Sequence, residues 1–262
     1  MLIFDSGVGG LSVLKNIKKI LPKMHYIYIL DNEAFPYGNK TEFFIVQRSI
    51  KIINTVKNIY PINIVVIACN TVSTIALSIL KSKFSFPIIG IFPDIKTAKK
   101  ITKNKIIGLI ATKATMNSSY IKKTIYKNIS KNTIQVIGTN KLASISEKKI
   151  RGIEVSQKKL KNIFKSWIDL PVHPDTIILG CTHFSLLEKE IKKILYKTSS
   201  IYFIDSIHTV TSQIKNYLKK LHINQNIRKN IFLYSKYSIS LKELLIFLKK
   251  YQFTIIKHIN LN

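Results

Sequence analysis

Cysteine, acidic side chains and arginine are the scarce residues in this chain: two cysteines, 13 acidic residues and three arginines in 262 positions. Two distant thiols are too few for a disulfide framework or a four-cysteine zinc site, and no histidine stands at zinc-finger spacing. A cytoplasmic enzyme would keep both reduced, so a cytoplasmic location is expected and no metal is assigned. No run of about 18 uncharged apolar residues occurs, which excludes a helical membrane span. The opening MLIFDSGVGG has no basic segment followed by a long apolar stretch, so no secretory signal is expected. No Walker A motif is present either.

The acidic deficit leaves a formal net charge of +29. Two readings follow: a nucleic-acid or other polyanionic partner, or compositional drift in a genome rich in A and T. Arg48, Arg151 and Arg228 are the only arginines among 42 basic residues, leaving 39 lysines. Specific nucleic-acid readers favour the bidentate fork of arginine. Here lysines are scattered through nearly every segment, alongside heavy use of Ile and Asn, which favours drift. Nonspecific attraction to nucleic acid at low salt is expected under either reading.

What is present is an alternation of apolar runs with amphipathic stretches. The runs at 2–4, 26–30, 62–68, 87–91, 105–110, 133–137, 176–179 and 201–204 are predicted strands. Stretches such as 11–21, 71–80 and 184–195 carry helical spacing. This alternation predicts an α/β fold with largely parallel sheets, whose ligand site lies beyond the carboxyl ends of strands. A weak internal repeat accompanies it. NIVVIACNTVSTIAL at 63–77 pairs with DTIILGCTHFSLLEK at 175–189, and IFDSGVGGLSVLKNI at 3–17 with FIDSIHTVTSQIKNY at 203–217. The Asp-Ser and cysteine units run in mirrored order, which suggests two similar halves facing across a cleft.

Cys69 and Cys181 each follow an apolar strand and precede a predicted helix start. Either alone reads as a small buried hydrophobe. As a matched pair they suggest more. A thiol at a helix N-terminus has its pKa lowered, and the free N–H groups there bind carboxylates. Two such units facing one ligand supply the two bases that racemisation needs: one removes an α-proton and the other delivers a proton to the opposite face. Asn70, Thr71 and Thr182 are placed to stabilise the carbanion's carboxylate. Asp5 and His183 stand to tune or relay protons, one near each thiol, although His183 also reads as a core histidine.

Asp5-Ser6-Gly7-Val8-Gly9-Gly10 follows the first strand. As a dinucleotide loop it fails, because Ser12 occupies the third glycine position and Asp5 would face a pyrophosphate, even though Asp31 lies near the expected distance. The glycines instead read as a tight turn that presents Asp5 and Ser6 to a small ligand. Pro36-Tyr37-Gly38 reads either as an ordinary turn or as a backbone N–H and tyrosine wall over the ligand.

These blocks resemble bacterial glutamate racemases of the aspartate/glutamate racemase family. IFDSGVGGLSVLKNI, PYG at 36–38, IACNTVST at 67–74 and ILGCTHFSLL at 178–187 look like the family's four signature blocks, and FIDS at 203–206 and GLIATKAT at 108–115 like two weaker ones. The resemblance implies two α/β domains with the site in the cleft between them: 1–93 plus 206–262 as the first, discontinuous domain and 94–205 as the second. It implies glutamate as substrate, D-glutamate for peptidoglycan as product, Cys69 and Cys181 as the two acid/bases, and no pyridoxal phosphate or other cofactor. Asp5, Ser6, Tyr37, Gly38, Asn70, Thr71, Thr182 and His183 contact or assist the substrate on this basis, with Thr112 as an extra contact. A homodimer is common in the family. Where the family has Val-Pro-x-x-Glu, this chain reads ASISE at 143–147, which makes Glu147 the candidate partner of His183. The alternatives are a related racemase for aspartate or another amino acid, and a basic polyanion-binding protein on a racemase fold.

Overall fold

The strand-forming runs are short, rich in Ile, Val and Leu, and mostly buried along their whole length, as expected of parallel strands covered on both faces. The computed structural model describes residues 1–128, 132–195, 201–205, 207–220, 229–248 and 251–261. The strands are β1 Leu2–Asp5, β2 Ile27–Leu30, β3 Val65–Ile67, β4 Ile88–Gly90, β5 Ile106–Ala111, β6 Thr133–Gly138, β7 Thr176–Gly180, β8 Tyr202–Ile204, β9 Ile231–Tyr234 and β10 Ile255–His258. They form two sheets, one ordered β10-β9-β2-β1-β3-β4 and the other β6-β5-β7-β8. Among the described residues every pairing is parallel.

The helices are α1 Gly10–Ile20, α2 Glu42–Ile59, α3 Asn70–Lys83, α4 Ile95–Ile101, α5 Lys113–Asn117, α6 Ser119–Asn128, α7 Lys141–Ile150, α8 Gln157–Ile168, α9 Glu188–Leu195, α10 Ile207–Lys220 and α11 Ile239–Leu248. Several begin on the capping residues that satisfy free N–H groups: Thr41 on α2, Asp94 on α4 and Ser156 on α8. The larger sheet buries one face under α1, α10 and α11, and the other under α2 and α3. The smaller sheet is covered by α7, α8 and α9 on one face and by α4 and α6 on the other. The chain builds the larger sheet through β4, crosses to the smaller one for β5–β8, and returns for β9 and β10. Residue 206, the second expected crossing, lies outside the described residues.

Two features differ from the sequence expectation. Strands β9 and β10 lie in the tail, where no strand was expected. β10 is an edge strand with Ile256, Lys257 and His258 all exposed, so it lacks the apolar continuity of the inner strands. The stretch 184–195 is not one helix: a 3-10 turn over Phe184–Leu187 precedes α9.

Trp167, the single tryptophan, is buried on the smaller sheet, against Gly108 of β5. A Cβ at Gly108 would lie 2.8 Å from the indole ring. Gly108→Ala is therefore expected to destabilise the fold by about 1–3 kcal/mol, because the overpacking exceeds the entropy gained by removing a glycine. Urea unfolding followed by Trp167 fluorescence checks this; an unchanged or raised midpoint would show that the ring yields.

Candidate active site

Parallel pairing sets strand ends side by side. Phe4 of β1 is in register with Ile67 of β3, so Asp5 and Cys69 leave the larger sheet as neighbours. Ala111 of β5 is in register with Gly180 of β7, so Thr112 and Cys181 leave the smaller sheet together. Cys69 occupies the N-cap position of α3 in place of the usual hydroxyl or carboxylate residue, next to the N–H groups of Thr71 and Val72. Cys181 stands two residues ahead of the cap of the 3-10 turn, which is His183. Both thiols are free and buried.

The two sets of strand ends meet. Thr182 Oγ1 donates to Asp5 Oδ2 at 3.0 Å. Val8 N donates to Glu147 Oε1 at 2.7 Å. The same oxygen lies 3.0 Å from His183 Nε2, while His183 Nδ1 lies 3.8 Å from the Cys181 sulfur. Asp5 in turn lies beside Cys69. The structure thus places Asp5 beside Cys69, His183 beside Cys181, and Glu147 behind His183.

The glycine loop has a different rationale from the one expected. Among the described glycines only Gly152 has positive φ, so the loop is not a turn that demands glycine conformations. Its need is space. A Cβ on Gly7 would collide with Glu147 Oε1 and His183 Nε2, and one on Gly9 would lie 2.5 Å from Thr182 Oγ1.

Burial and charge oppose each other here. Burial pushes the Asp5 carboxyl up, against the His183 charge and the hydrogen bonds from Ser6 N, Thr182 and Cys69. Burial also pushes the Cys69 thiol well above its usual range, aided by the neighbouring Asp5 and Cys181. This corrects the expectation of a lowered pKa at that helix start: the N–H groups of Val72 and Thr71 act in the expected sense but are outweighed. His183 goes the other way. Burial disfavours its charge, but the hydrogen bonds to Cys181 and Glu147, with the fields of Cys181 and Asp5, raise it well above 6.5. Glu147 is held down at about 2 despite burial, chiefly by His183, with help from Val8 N and Arg151.

Thr71, Thr112 and Thr115 form a buried hydroxyl triangle with sides of 2.8–3.0 Å, tying α3 to α5. Asn70 and Cys181 line the same small cavity. Ser6 is buried beside Asp5, whose Oδ1 accepts from its N–H. Tyr37 is buried within reach of Cys69, but its hydroxyl donates to Asp31 Oδ2 at 2.6 Å. Gly38 O accepts from Asn140 Nδ2 at 3.0 Å, joining the 3-10 turn Tyr37–Asn39 to the smaller sheet's side. Sequence reasoning missed Asn140, Thr115, Arg151 and the clamp that Arg48 places on Asp31 with two bonds of 2.6 and 2.9 Å. The scarcity of arginine was the available signal for two of these. Among the described residues no group of three or more His, Cys, Asp or Glu side chains is arranged to hold a metal.

Because its pKa is depressed, Glu147 contributes stability that is fully present above pH 4.5 and is lost as pH falls through about 2. That contribution is about 3 kcal/mol. Glu147→Gln lacks it, so the gap in unfolding free energy between the parent and this variant should shrink on acidification from pH 6 to 2.5. A gap that stays constant would show that Glu147 is not held ionised by its neighbours.

A model of the Asp/Glu/hydantoin racemase family matches residues 6–214. Over 262 residues, 100% of both chains, the sequence is 77% identical to the glutamate racemase of Buchnera aphidicola subsp. Acyrthosiphon pisum (strain 5A). The crystal structure of Escherichia coli glutamate racemase, in complex with L-glutamate and activator UDP-MurNAc-ala, is similar with a TM-score of 0.92 at 37% identity, covering 99% of this chain and 97% of that one. A Bacillus anthracis glutamate racemase isoform is similar with a TM-score of 0.82 at 29% identity, covering 97% and 95%. The chain therefore belongs to the Asp/Glu/hydantoin racemase family, among its glutamate racemases.

Proposed function

We propose that the protein interconverts L- and D-glutamate by two-base proton transfer between Cys181 and Cys69, without a cofactor, and so supplies D-glutamate for peptidoglycan in the cytoplasm. The observation that carries this reading is the placement of two thiols at facing strand ends, each with its own acid–base partner: Asp5 for Cys69 and His183 for Cys181.

Burial and the Asp5 charge hold the Cys69 thiol neutral, and the raised His183 keeps an imidazolium beside Cys181. The Cys181 thiolate takes the α-proton of one enantiomer. The carbanion's charge spreads into the substrate carboxylate, which the N–H groups at the α3 start and the hydroxyls of Thr71, Thr112 and Thr182 receive. The Cys69 thiol then delivers its proton to the opposite face. The sulfurs end with exchanged protonation, ready for the reverse direction, and proton exchange through Asp5 and His183 resets them. Ser6, Tyr37, Gly38 and Asn70 complete the lining. These groups lie where 1–93 plus 206–262 meets 94–205, two segments we treat as two domains. Since the lining residues are buried, glutamate enters when the two part and catalysis follows when they close. The hydrogen-bonded cluster favours an enzyme over a polyanion-binding relic.

Incubation with L-glutamate in deuterated water, with no added cofactor, should give loss of optical rotation together with α-deuterium. Cys69→Ser and Cys181→Ser should each lower racemisation by about 100-fold or more. Normal racemisation by either variant would refute the two-base reading, and faster turnover of aspartate than of glutamate would replace the substrate.

A further inference from the structure

Arg151 ends α7 as its C-cap residue, and its Nη1 reaches the carbonyl of Glu147 at 2.6 Å and Glu147 Oε2 at 2.5 Å. Part of this is ordinary helix capping by a cation. The carboxylate it holds is not ordinary. Glu147 is 8% exposed, and its other oxygen carries both Val8 N and His183 Nε2. Glu147 thus spends one oxygen on the racemase site and the other on Arg151. The guanidinium also faces Glu243 of α11, 3.9 Å away across the junction between the sheets. A cavity of about 540 Å³ opens beside it, lined from both sides by Ser6, Gly7, Lys148, Lys236 and Glu243 among others.

A second observation singles Arg151 out. In a chain with 39 lysines, the two arginines among the described residues both bind buried carboxylates: Arg48 grips Asp31 through Nε and Nη2, and Arg151 joins the Glu147 carboxylate and carbonyl through Nη1. A lysine supplies a flexible point charge, whereas the planar guanidinium meets carboxylate and carbonyl at a fixed orientation, with its Nε toward Glu243.

We propose that Arg151 is a positioning residue for racemisation: it fixes the Glu147 carboxylate that orients and charge-balances His183 beside Cys181. The inference rests on the roles given to His183 and Cys181 above. Among the described residues, the charged and titratable groups facing this relay include Asp5 from β1, Tyr28 of β2, Cys69 before α3, Cys181 and His183 after β7, Lys148 on α7, Lys236 after β9 and Glu243 on α11. Removing the Arg151 charge makes the surroundings of Glu147 more negative, so Glu147 loses one of the influences that hold it ionised, and the charge balance of the His183 it orients changes with it.

The test is the pH profile of kcat/KM for glutamate in Arg151→Gln, where the amide can still cap the Glu147 carbonyl but carries no charge. The acid limb should rise by about half a unit to one unit. On the acid side of that limb turnover should fall about 3- to 10-fold, yet on the plateau above it stay within about 2-fold of the parent. Arg151→Lys, which keeps the charge and loses the planar guanidinium, should shift the limb less, and serves as the measurement if the glutamine variant does not fold. A lowered Tm with an unmoved limb would reduce Arg151 to a helix cap and overturn the proposal. Glu147→Gln separates the two levels. If it moves the limb while both Arg151 variants leave it in place, only the Arg151 proposal fails; if none moves it, the His183 reading fails with it.

Discussion

The bond from Val8 N to Glu147 Oε1 is the joint on which the site depends, because it ties the loop after β1 to α7 across 139 positions of sequence. The same oxygen receives His183 Nε2, and the other face of that imidazole meets the Cys181 sulfur. One carboxylate therefore sets the distance between the halves and the orientation of a thiol's partner. Its desolvation is costly, and burial is the largest influence opposing its charge. The cost is offset only while all partners are in place, which makes the network nearly all-or-none. The glycines at 7 and 9 serve this closure. With any side chain there, the loop could not approach the imidazole and Thr182 as closely as it does.

Most of the frame was legible because parallel sheets write themselves as buried apolar runs, and the eight expected strands are all present. The strands of the tail were not. In a chain this rich in lysine and isoleucine, a stretch such as 253–261 carries the same residues as the amphipathic helices, and an edge strand loses the continuous burial that marks the inner ones. The two strand–Cys units were legible as a pair. What each thiol touches was not, because local sequence shows a helix start and says nothing about burial or about charges arriving from elsewhere. Cys69 illustrates this: its local N–H groups act as the sequence suggests, and Asp5 and burial reverse the result. Glu147 was reachable only through a family alignment, since ASISE alone is an unremarkable helical segment. Asp31, Arg48 and Tyr37 form a buried triad 17 positions wide whose logic exists only once α2 folds back on the loop.

The basic composition leaves its own mark on this architecture. Where a side chain merely solvates a helix face, lysine serves, and the surface is covered with it. Where a carboxylate must be held at a fixed angle inside the protein, the point charge of lysine is a poorer substitute, because it gives no planar fork and takes more ordering per bond. Arg48 and Arg151 occupy such places. Scarcity in a drifted sequence thus becomes a physical signal: the rare residue type stands where the common one cannot do the same geometric work.

The two thiols are chemically identical but electrostatically opposite. Cys69 faces a carboxylate in a buried setting, and Cys181 faces an imidazolium balanced by Glu147. Asp5 stands behind one sulfur and His183 behind the other, so the two ends of the site present opposite charge to whatever lies between them. The proposed two-base reaction needs one proton donor and one proton acceptor at a time, and unequal surroundings of this kind are what it asks of the fold. Outward from Cys181 the charges then alternate through His183, Glu147 and Arg151.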